Sequence, residues 1–212
     1  MLHEKPPDHP ADMPAKVGVL LLNLGTPDAT DYWSMRRYLK EFLSDHRVIE
    51  VNRALWWVIL NGIILSVRPQ KSGHGYDKIW DRAANDSPLR VITRRQAEKL
   101  AQRLAGHPEV VVDFAMRYGN PSTEAGIRRL REAGCQKILF APLYPQYSAP
   151  TTATANDKAF DVLKGLRWQP AVRTLPPYFD DPAYVAALAG SIAEGVKALD
   201  FEPDLVITSY HG

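Results

Sequence analysis

Long runs of apolar residues recur along the chain, separated by segments of mixed polarity. Predominantly apolar runs at residues 16–23, 108–116, 137–142 and 204–209 predict buried strands, because strands of a parallel sheet that is covered on both sides show no regular alternation of polar and apolar positions. A shorter run at residues 171–175 predicts one more strand.

Between these runs, apolar residues recur at the three- and four-residue spacing of helices. On this basis four helices are predicted, at residues 30–44, 93–104, 120–134 and 181–199. Thr30 or Asp31 can cap the first helix. Asn120 followed by Pro121 is a favourable start for the third helix, and Gly134 is a favourable stop.

The alternation of strands and helices predicts an α/β protein with a doubly wound parallel sheet. A segment rich in proline and glycine at residues 163–177 suggests a domain boundary, so residues 16–165 are expected to form one complete domain. Residues 166–212 are expected to begin a second domain, which they are too short to complete.

The most polar and the most apolar segments of the chain bear on where the protein is located in the cell. Residues 1–15 are rich in proline and charge and contain no apolar segment of a secretory signal, which predicts a disordered tail and a cytoplasmic location. The most apolar stretch, residues 54–67, spans 14 residues, fewer than the roughly 20 that cross a bilayer. A loop containing Pro69, Gly73 and Gly75 is predicted to follow it.

Composition narrows the range of functions. The 26 basic and 24 acidic residues give a formal net charge of +2 and are dispersed, so nothing indicates a nucleic-acid partner. Cys135 is the single cysteine, which excludes an internal disulfide framework and predicts a small core residue. The sequence lacks GxGxxG, P-loop, HExxH and GxSxG motifs, which disfavours nucleotide-binding, zinc-protease and esterase functions.

Candidate functional residues follow the predicted strands, because ligands of open α/β sheets bind at the carboxyl ends of the strands. His211 follows the run at residues 204–209, and Arg117 and Tyr118 follow the run at residues 108–116. A guanidinium group pairs with carboxylates and stacks on aromatic rings, so this pair suits a flat, anionic aromatic ligand. The plainer interpretations are a partly exposed terminal histidine and a surface salt bridge.

The run at residues 137–142 is also followed by polar and aromatic residues, Tyr144 and Tyr147 among them. A turn with a hydroxyl N-cap accounts for the nearby Ser148 and Thr152. It does not account for both tyrosines, so three strand ends are expected to supply polar or aromatic groups to one edge of the sheet.

Six motifs together resemble the ferrochelatase family, in the same order and at similar spacing. They are LLNLGTPD (21–28), YLKEFLSDHRVIE (38–50), SPL (87–89), MRYGNPS (116–122), LYPQYS with TT (143–152) and SYHG (209–212). The resemblance runs from residue 16 to residue 212. It implies two similar doubly wound domains with a porphyrin cleft between them. It also implies a lyase of haem biosynthesis that inserts ferrous iron, its metal substrate, into protoporphyrin IX without an organic cofactor.

The resemblance also implies roles for individual residues. His211 would face the centre of the porphyrin and either accept pyrrole protons or hold the metal, and a neutral imidazole can do both near neutral pH. Arg117 and Tyr118 would line the cleft beside the macrocycle, and Leu24 would touch the face of the ring. The propionates would be held by Arg68, Tyr76 and Ser87.

The stretch with Trp56 and Trp57 resembles the lip of the cleft, which touches the bilayer in membrane-associated members; a plain core helix is the alternative. The family continues past the SYHG motif into a domain with a glutamate opposite the histidine, so this chain is expected to be incomplete and to lack that carboxylate. Two other interpretations stay open: a catalytically silent porphyrin-binding fragment, and an unrelated α/β domain that binds a small molecule.

Overall fold

A computed structural model describes residues 15–208 of the chain. The strands are β1 (Lys16–Thr26), β2 (Val110–Gly119), β3 (Cys135–Pro142) and β4 (Ala171–Thr174). The α-helices are α1 (Tyr32–Ser44), α2 (Arg53–Ile59), α3 (Leu65–Ile79), α4 (Pro88–Arg103), α5 (Thr123–Glu132), α6 (Thr154–Lys164) and α7 (Pro182–Lys197). Short π-helical turns, Leu60–Ile64 and Ala149–Ala153, precede α3 and α6.

The four strands form one parallel sheet in the order β2-β1-β3-β4. Helices connect successive strands, as parallel pairing requires. The predicted parallel α/β fold is therefore confirmed. Strand β1 continues to Thr26, past the predicted end at Asn23, because it stays paired with β2 as far as Gly119.

Helices pack on both sides of this sheet. On one side α5 and α6 cover a core around Leu20 and Phe140, and this core includes Cys135, whose predicted burial is confirmed. On the other side α4 packs through Ala97 against Leu21 and its neighbours. A third cluster joins α1, α3 and the π-helical turn between α2 and α3 to the carboxyl end of β2.

The caps explain where two helices begin. Asp31 caps α1, as predicted, by accepting hydrogen bonds from the backbone N–H groups of Trp33 and Ser34. The predicted start of α5 at Asn120 and Pro121 is wrong, since the cap is Ser122, which accepts from the backbone of Ala125 at 3.2 Å.

The reason for the later start is that the Pro121 carbonyl accepts a hydrogen bond from the Met116 N–H at 2.7 Å. This bond is part of an isolated bridge between Met116 and Ser122 beside β2, and α5 begins only after it. The predicted stop at Gly134 is confirmed, because that glycine follows the last turn with a φ of 87°, a left-handed conformation that favours glycine.

The predicted loop with Pro69, Gly73 and Gly75 is wrong, because all three residues lie inside α3. Proline has no N–H for the carbonyl four residues earlier, which is that of Leu65. The Tyr32 hydroxyl donates to that carbonyl instead, at 3.1 Å. A partner outside the helix thus compensates for the proline, and the helix continues.

The chain divides into two compact units, one ending at Leu175 and one beginning at Pro176. The first contains the whole sheet, including β4, so it extends past the boundary predicted at residue 165. The second contains α7, which starts after the Asp181 cap as predicted. The strand predicted at residues 204–209 is wrong for residues 204–208, which are not in a strand. A strand needs a paired neighbour, and in the second unit the described residues offer none.

Candidate active site

The carboxyl end of β1 places Leu24 beside the end of β2. Gly25 pairs with Tyr118 and has a φ of 112°, and a Cβ on Gly25 would lie 1.8 Å from the Tyr118 carbonyl oxygen. Only glycine allows the two strands to approach this closely. Leu24 is held in turn by Asn23, whose side chain accepts from the Leu24 N–H and donates to Thr93.

A buried cluster of polar groups surrounds the carboxylate of Asp45, the residue after α1. Its Oδ2 accepts hydrogen bonds from Arg117 Nη2 at 2.6 Å, from the Tyr118 hydroxyl at 2.8 Å and from the Thr154 hydroxyl. Its Oδ1 accepts from the backbone N–H of Arg47 at 2.8 Å. The Asp45 side chain is only 3% exposed, so these donors replace water around a buried charge.

The guanidinium of Arg117 lies over the ring of Tyr118 in this cluster. Its Cζ is 4.3 Å from the centroid of the Tyr118 ring, and its Nε donates to the Thr154 hydroxyl at 2.7 Å. The guanidinium is therefore fixed by an ion pair, a hydrogen bond and a cation–π contact. The predicted alternative of a surface salt bridge does not describe this arrangement, because the Arg117 side chain is 13% exposed.

The environment shifts the pKa values of the cluster in opposite directions. Burial raises the pKa of the Asp45 carboxyl, but the bonds from Thr154, the Arg47 backbone and Tyr118, together with the charge of Arg117, outweigh burial and lower that pKa below its ordinary 3.8. Burial raises the pKa of the Tyr118 phenol well above its ordinary range. Asp45 is therefore an anion at neutral pH, and Tyr118 keeps its proton.

The segment after α1 is attached to α6 at a second point. Arg47 makes two hydrogen bonds to the carboxylate of Asp157, which lies three residues after Thr154 and so on the same side of α6. Arg90 holds the loop after β1 similarly, since its guanidinium pairs with Asp86 and donates to the Pro27 carbonyl. Both loops at this edge of the sheet are thus fixed by arginine side chains.

The sequence did not single out Asp45 or Thr154 as site residues. A signal for Asp45 exists, because a carboxylate directly after the last turn of α1 faces the negative end of the helix dipole. Such a residue is unfavourable there unless a cation compensates it. Tyr144, noted among the strand-end residues, is buried near Arg117 and Tyr118, and burial raises its pKa. Within residues 15–208 its hydroxyl has no hydrogen-bond partner.

The structure brings together some of the predicted ligand-contacting residues and not others. Leu24, Tyr76 and Tyr118 belong to one hydrophobic cluster, in which the Tyr76 ring packs edge-on against Tyr38 at 6.1 Å between centroids. Ser87 is buried at the start of α4, where its N–H donates to Asp86. Arg68 is exposed on α3, and no hydrogen bond or ion pair among the described residues links it to the others.

His211 lies outside the described residues, so its predicted position relative to Arg117 and Tyr118 stays a prediction. Among residues 15–208, no group of three or more histidine, cysteine or acidic side chains is arranged to hold a metal ion.

The two neighbouring tryptophans have different surroundings. Trp56 is half-buried, and its indole N–H donates to the Leu43 carbonyl at 2.7 Å. Trp57 is 65% exposed, and Leu55, Val58, Ile63 and Val67 are exposed on the same helical segment. We call Leu55, Trp57, Val58, Ile63 and Val67 the apolar ridge. In the described part of the chain, no helix is both long and apolar enough to span a membrane.

A parallel sheet with helices on both faces, and with aromatic, cationic and acidic side chains at the carboxyl ends of its strands, places the chain among the open-sheet α/β proteins. Within this class, the sequence model of the ferrochelatase family matches residues 16–212. The chain belongs to the ferrochelatase family.

Curated relatives agree with this family assignment. The chain is 59% identical over 207 residues to the ferrochelatase of Agrobacterium fabrum, covering 98% of this chain and 60% of that protein. It is 58% identical over 205 residues to the ferrochelatase of Rhizobium meliloti, covering 97% of this chain and 60% of the relative. The ferrochelatase of Mesorhizobium japonicum is 59% identical over 197 residues. The chain thus spans about 60% of the length of these relatives.

Proposed function

We propose that this chain takes part in the insertion of ferrous iron into protoporphyrin IX, the lyase reaction that forms haem. The observation that carries the proposal is the 59% identity to a ferrochelatase over 98% of the chain. The geometry supports it, because Leu24 and Tyr76 are partly exposed members of one aromatic and apolar cluster at the carboxyl edge of the sheet, in which Tyr118 is fully buried. A flat, mostly apolar macrocycle is complementary to such a surface.

In this proposal iron and porphyrin are both substrates. As Fe²⁺ enters the ring, two pyrrole N–H bonds break and two protons leave. His211 accepts these protons or holds the incoming metal, since its ordinary pKa of about 6.5 suits either task near neutral pH. A glutamate opposite His211, which the family resemblance implies, would have to come from outside these 212 residues.

The remaining residues bind and orient the ring. Arg117 and Tyr118 form a wall beside the macrocycle, and Leu24 touches its face. The charge of Arg117 is compensated by Asp45, which favours a stacking role for Arg117 over pairing with a propionate. The propionates are assigned to Arg68, Tyr76 and Ser87, following the family resemblance.

The test is anaerobic incubation of the chain with protoporphyrin IX and ferrous iron, followed by the haem absorbance. His211→Ala should lower the rate by at least about 100-fold. The matched control is His107→Ala, which changes an exposed histidine in the loop before β2, at the opposite edge of the sheet. A wild-type chain that binds porphyrin without inserting iron would favour the silent porphyrin-binding alternative, and a chain that binds no porphyrin would exclude both.

We also propose a cytoplasmic location with peripheral membrane contact through the apolar ridge. Exposed tryptophan and aliphatic side chains on one helical segment suit the boundary between headgroups and acyl chains. Arg53 and Arg68, exposed on the same segment, add attraction to anionic lipids. The half-buried Trp56 contributes to the core instead.

This contact can be tested by sedimentation with vesicles of phosphatidylcholine and phosphatidylglycerol. Trp57→Ser should weaken vesicle binding several-fold, because the variant loses the apolar area that one tryptophan buries in the membrane. Trp168→Ser is the control, because Trp168 is partly exposed in the loop before β4, at the amino edge of the sheet. Equal losses in both variants would rule out the ridge as the contact surface.

A further inference from the structure

We propose that Asp45 is a positioning residue that fixes Arg117 and Tyr118 in the orientation that receives the macrocycle. This inference rests on the proposed function for the identity of the ligand. Its structural part rests on the hydrogen bonds around the Asp45 carboxylate alone.

The first argument is convergence. Arg117, Tyr118 and Thr154 all donate to the same oxygen of Asp45, although they come from β2 and α6. The carboxylate is thus the common acceptor of the side chains at this edge of the sheet. Removing its charge leaves the buried guanidinium of Arg117 with only the more distant and partly exposed carboxylate of Glu41, at 4.0 Å, and a group in that situation moves towards water.

The second argument is that Asp45 is itself held firmly. Its backbone N–H donates to the Phe42 carbonyl at the end of α1, and its Oδ1 accepts from the Arg47 backbone. The ion pair between Arg47 and Asp157 fixes the same segment to α6. Because Asp45 is fixed, the side chains that donate to it are fixed as well. In this way a residue that does not touch a ligand can orient the residues that do.

The third argument is electrostatic. Because Asp45 compensates Arg117, this part of the site presents a paired guanidinium to a ligand, and the fully buried ring of Tyr118 packs against that guanidinium. A guanidinium that is already paired suits the apolar centre of a porphyrin better than it suits the carboxylates of the porphyrin. Asp45 would therefore determine which part of the macrocycle Arg117 contacts.

The test compares Asp45→Asn with wild type by two measurements. Nitrogen-15 NMR of the arginine side chains, with Arg117 assigned through Arg117→Lys, reports without any ligand the protection of its Nε–H and its Nη2 protons, which donate to Thr154 and to Asp45. Quenching of protoporphyrin IX fluorescence reports affinity. We expect Asp45→Asn to abolish the protection and to weaken porphyrin binding about tenfold. When Asp45→Asn is added to a chain that already carries Arg117→Lys, the further loss of affinity should be much less than tenfold, because the effects of coupled residues are not additive.

Thr154 supplies a second route in case Asp45→Asn does not fold. Thr154→Val removes the hydroxyl between Arg117 and Asp45 at nearly constant volume and should produce the same two effects, whereas Thr154→Ser should retain wild-type behaviour. Asp113→Asn is the matched control. Asp113 lies on the same strand, β2, and pairs with Arg129 of α5, so the change breaks an Asp–Arg pair outside the cluster.

The outcomes separate the two proposals. If folded Asp45→Asn and Thr154→Val keep both the Arg117 protection and the porphyrin affinity, the positioning role is wrong. If wild type binds no porphyrin, the proposed function fails, and the NMR signal alone decides whether Asp45 orders Arg117. Loss of affinity in Asp113→Asn equal to that in Asp45→Asn would also overturn the proposal, since general destabilisation would then explain both.

Discussion

At the scale of single residues, Asp45 accepts four hydrogen bonds on one buried carboxylate. A carboxyl whose pKa is lower in the folded chain than in the unfolded chain stabilises the fold above its ordinary pKa, here 3.8. That stabilisation is lost as the pH falls through the folded value. The Asp45 cluster should therefore link stability to acid pH.

We predict that Asp45→Asn lowers the free energy of unfolding by about 3 kcal/mol near neutral pH, because it removes the close, buried counter-ion of Arg117 and leaves only the partly exposed Glu41 at 4.0 Å. The difference from wild type should shrink as the pH falls below 3.8, because the unfolded chain then takes up a proton at Asp45, and it should vanish only below the lower pKa of the folded chain, where Asp45 is neutral in both states. Urea unfolding across this pH range measures it. Asp113→Asn should cost about 1 kcal/mol or less, because its partner Arg129 is largely accessible to water. A difference that stays constant down to about pH 3 would exclude the charge of Asp45 as its source.

At the scale of elements, α3 shows how tightly one helix is seated against the loop before α1. A Cβ on Gly73 would lie 2.3 Å from the backbone carbonyl oxygen of Thr30, while a Cβ on Gly75 would meet nothing within 4 Å. Two glycines in one helix, two residues apart, therefore have different reasons for being there. Gly73 allows α3 to pack closely against the backbone of Thr30, whereas alanine would fit equally well at Gly75.

We predict opposite effects for alanine at these two positions. Gly73→Ala should destabilise the protein by about 1–3 kcal/mol, because the backbone of α3 must move away from Thr30. Gly75→Ala should stabilise it by roughly 0.5–1 kcal/mol, since alanine restricts the unfolded chain and favours the helix. Thermal unfolding of the two variants side by side measures both. Stabilisation by Gly73→Ala would show that the contact with Thr30 is loose.

The same helix shows what the sequence could predict and what it could not. The four strands of the sheet and the caps at Asp31 and Asp181 follow from local patterns, so they were predicted correctly, whereas the apolar run at residues 204–208 forms no strand. The helical course through Pro69 depends on a donor, Tyr32, that lies far away in sequence. The role of Asp45 depends in the same way on partners more than 70 residues away. Local patterns contain no information about such partners.

At the scale of the whole molecule, the extent of the first domain is the open question. The sequence places its end at residue 165, within the turn after α6, and the structure has β4 pairing with β3 beyond that point. Val172 packs against the core under α5 and α6, and Leu175 packs against the core under α4. Both cores therefore use side chains from residues 166–175, and a domain without them exposes the edge of β3.

Two fragments test this. A fragment of residues 1–175 should unfold cooperatively with a free energy within about 1 kcal/mol of the whole chain, because within residues 176–208 the helix α7 has no buried residue. A fragment of residues 1–165 should lose several kcal/mol, since three packed apolar side chains, Leu166, Val172 and Leu175, and a strand are removed, and it should aggregate through the exposed edge of β3. Circular dichroism with urea, together with light scattering, distinguishes the two. Equal stability of both fragments would place the domain boundary at residue 165 and leave β4 as a peripheral strand.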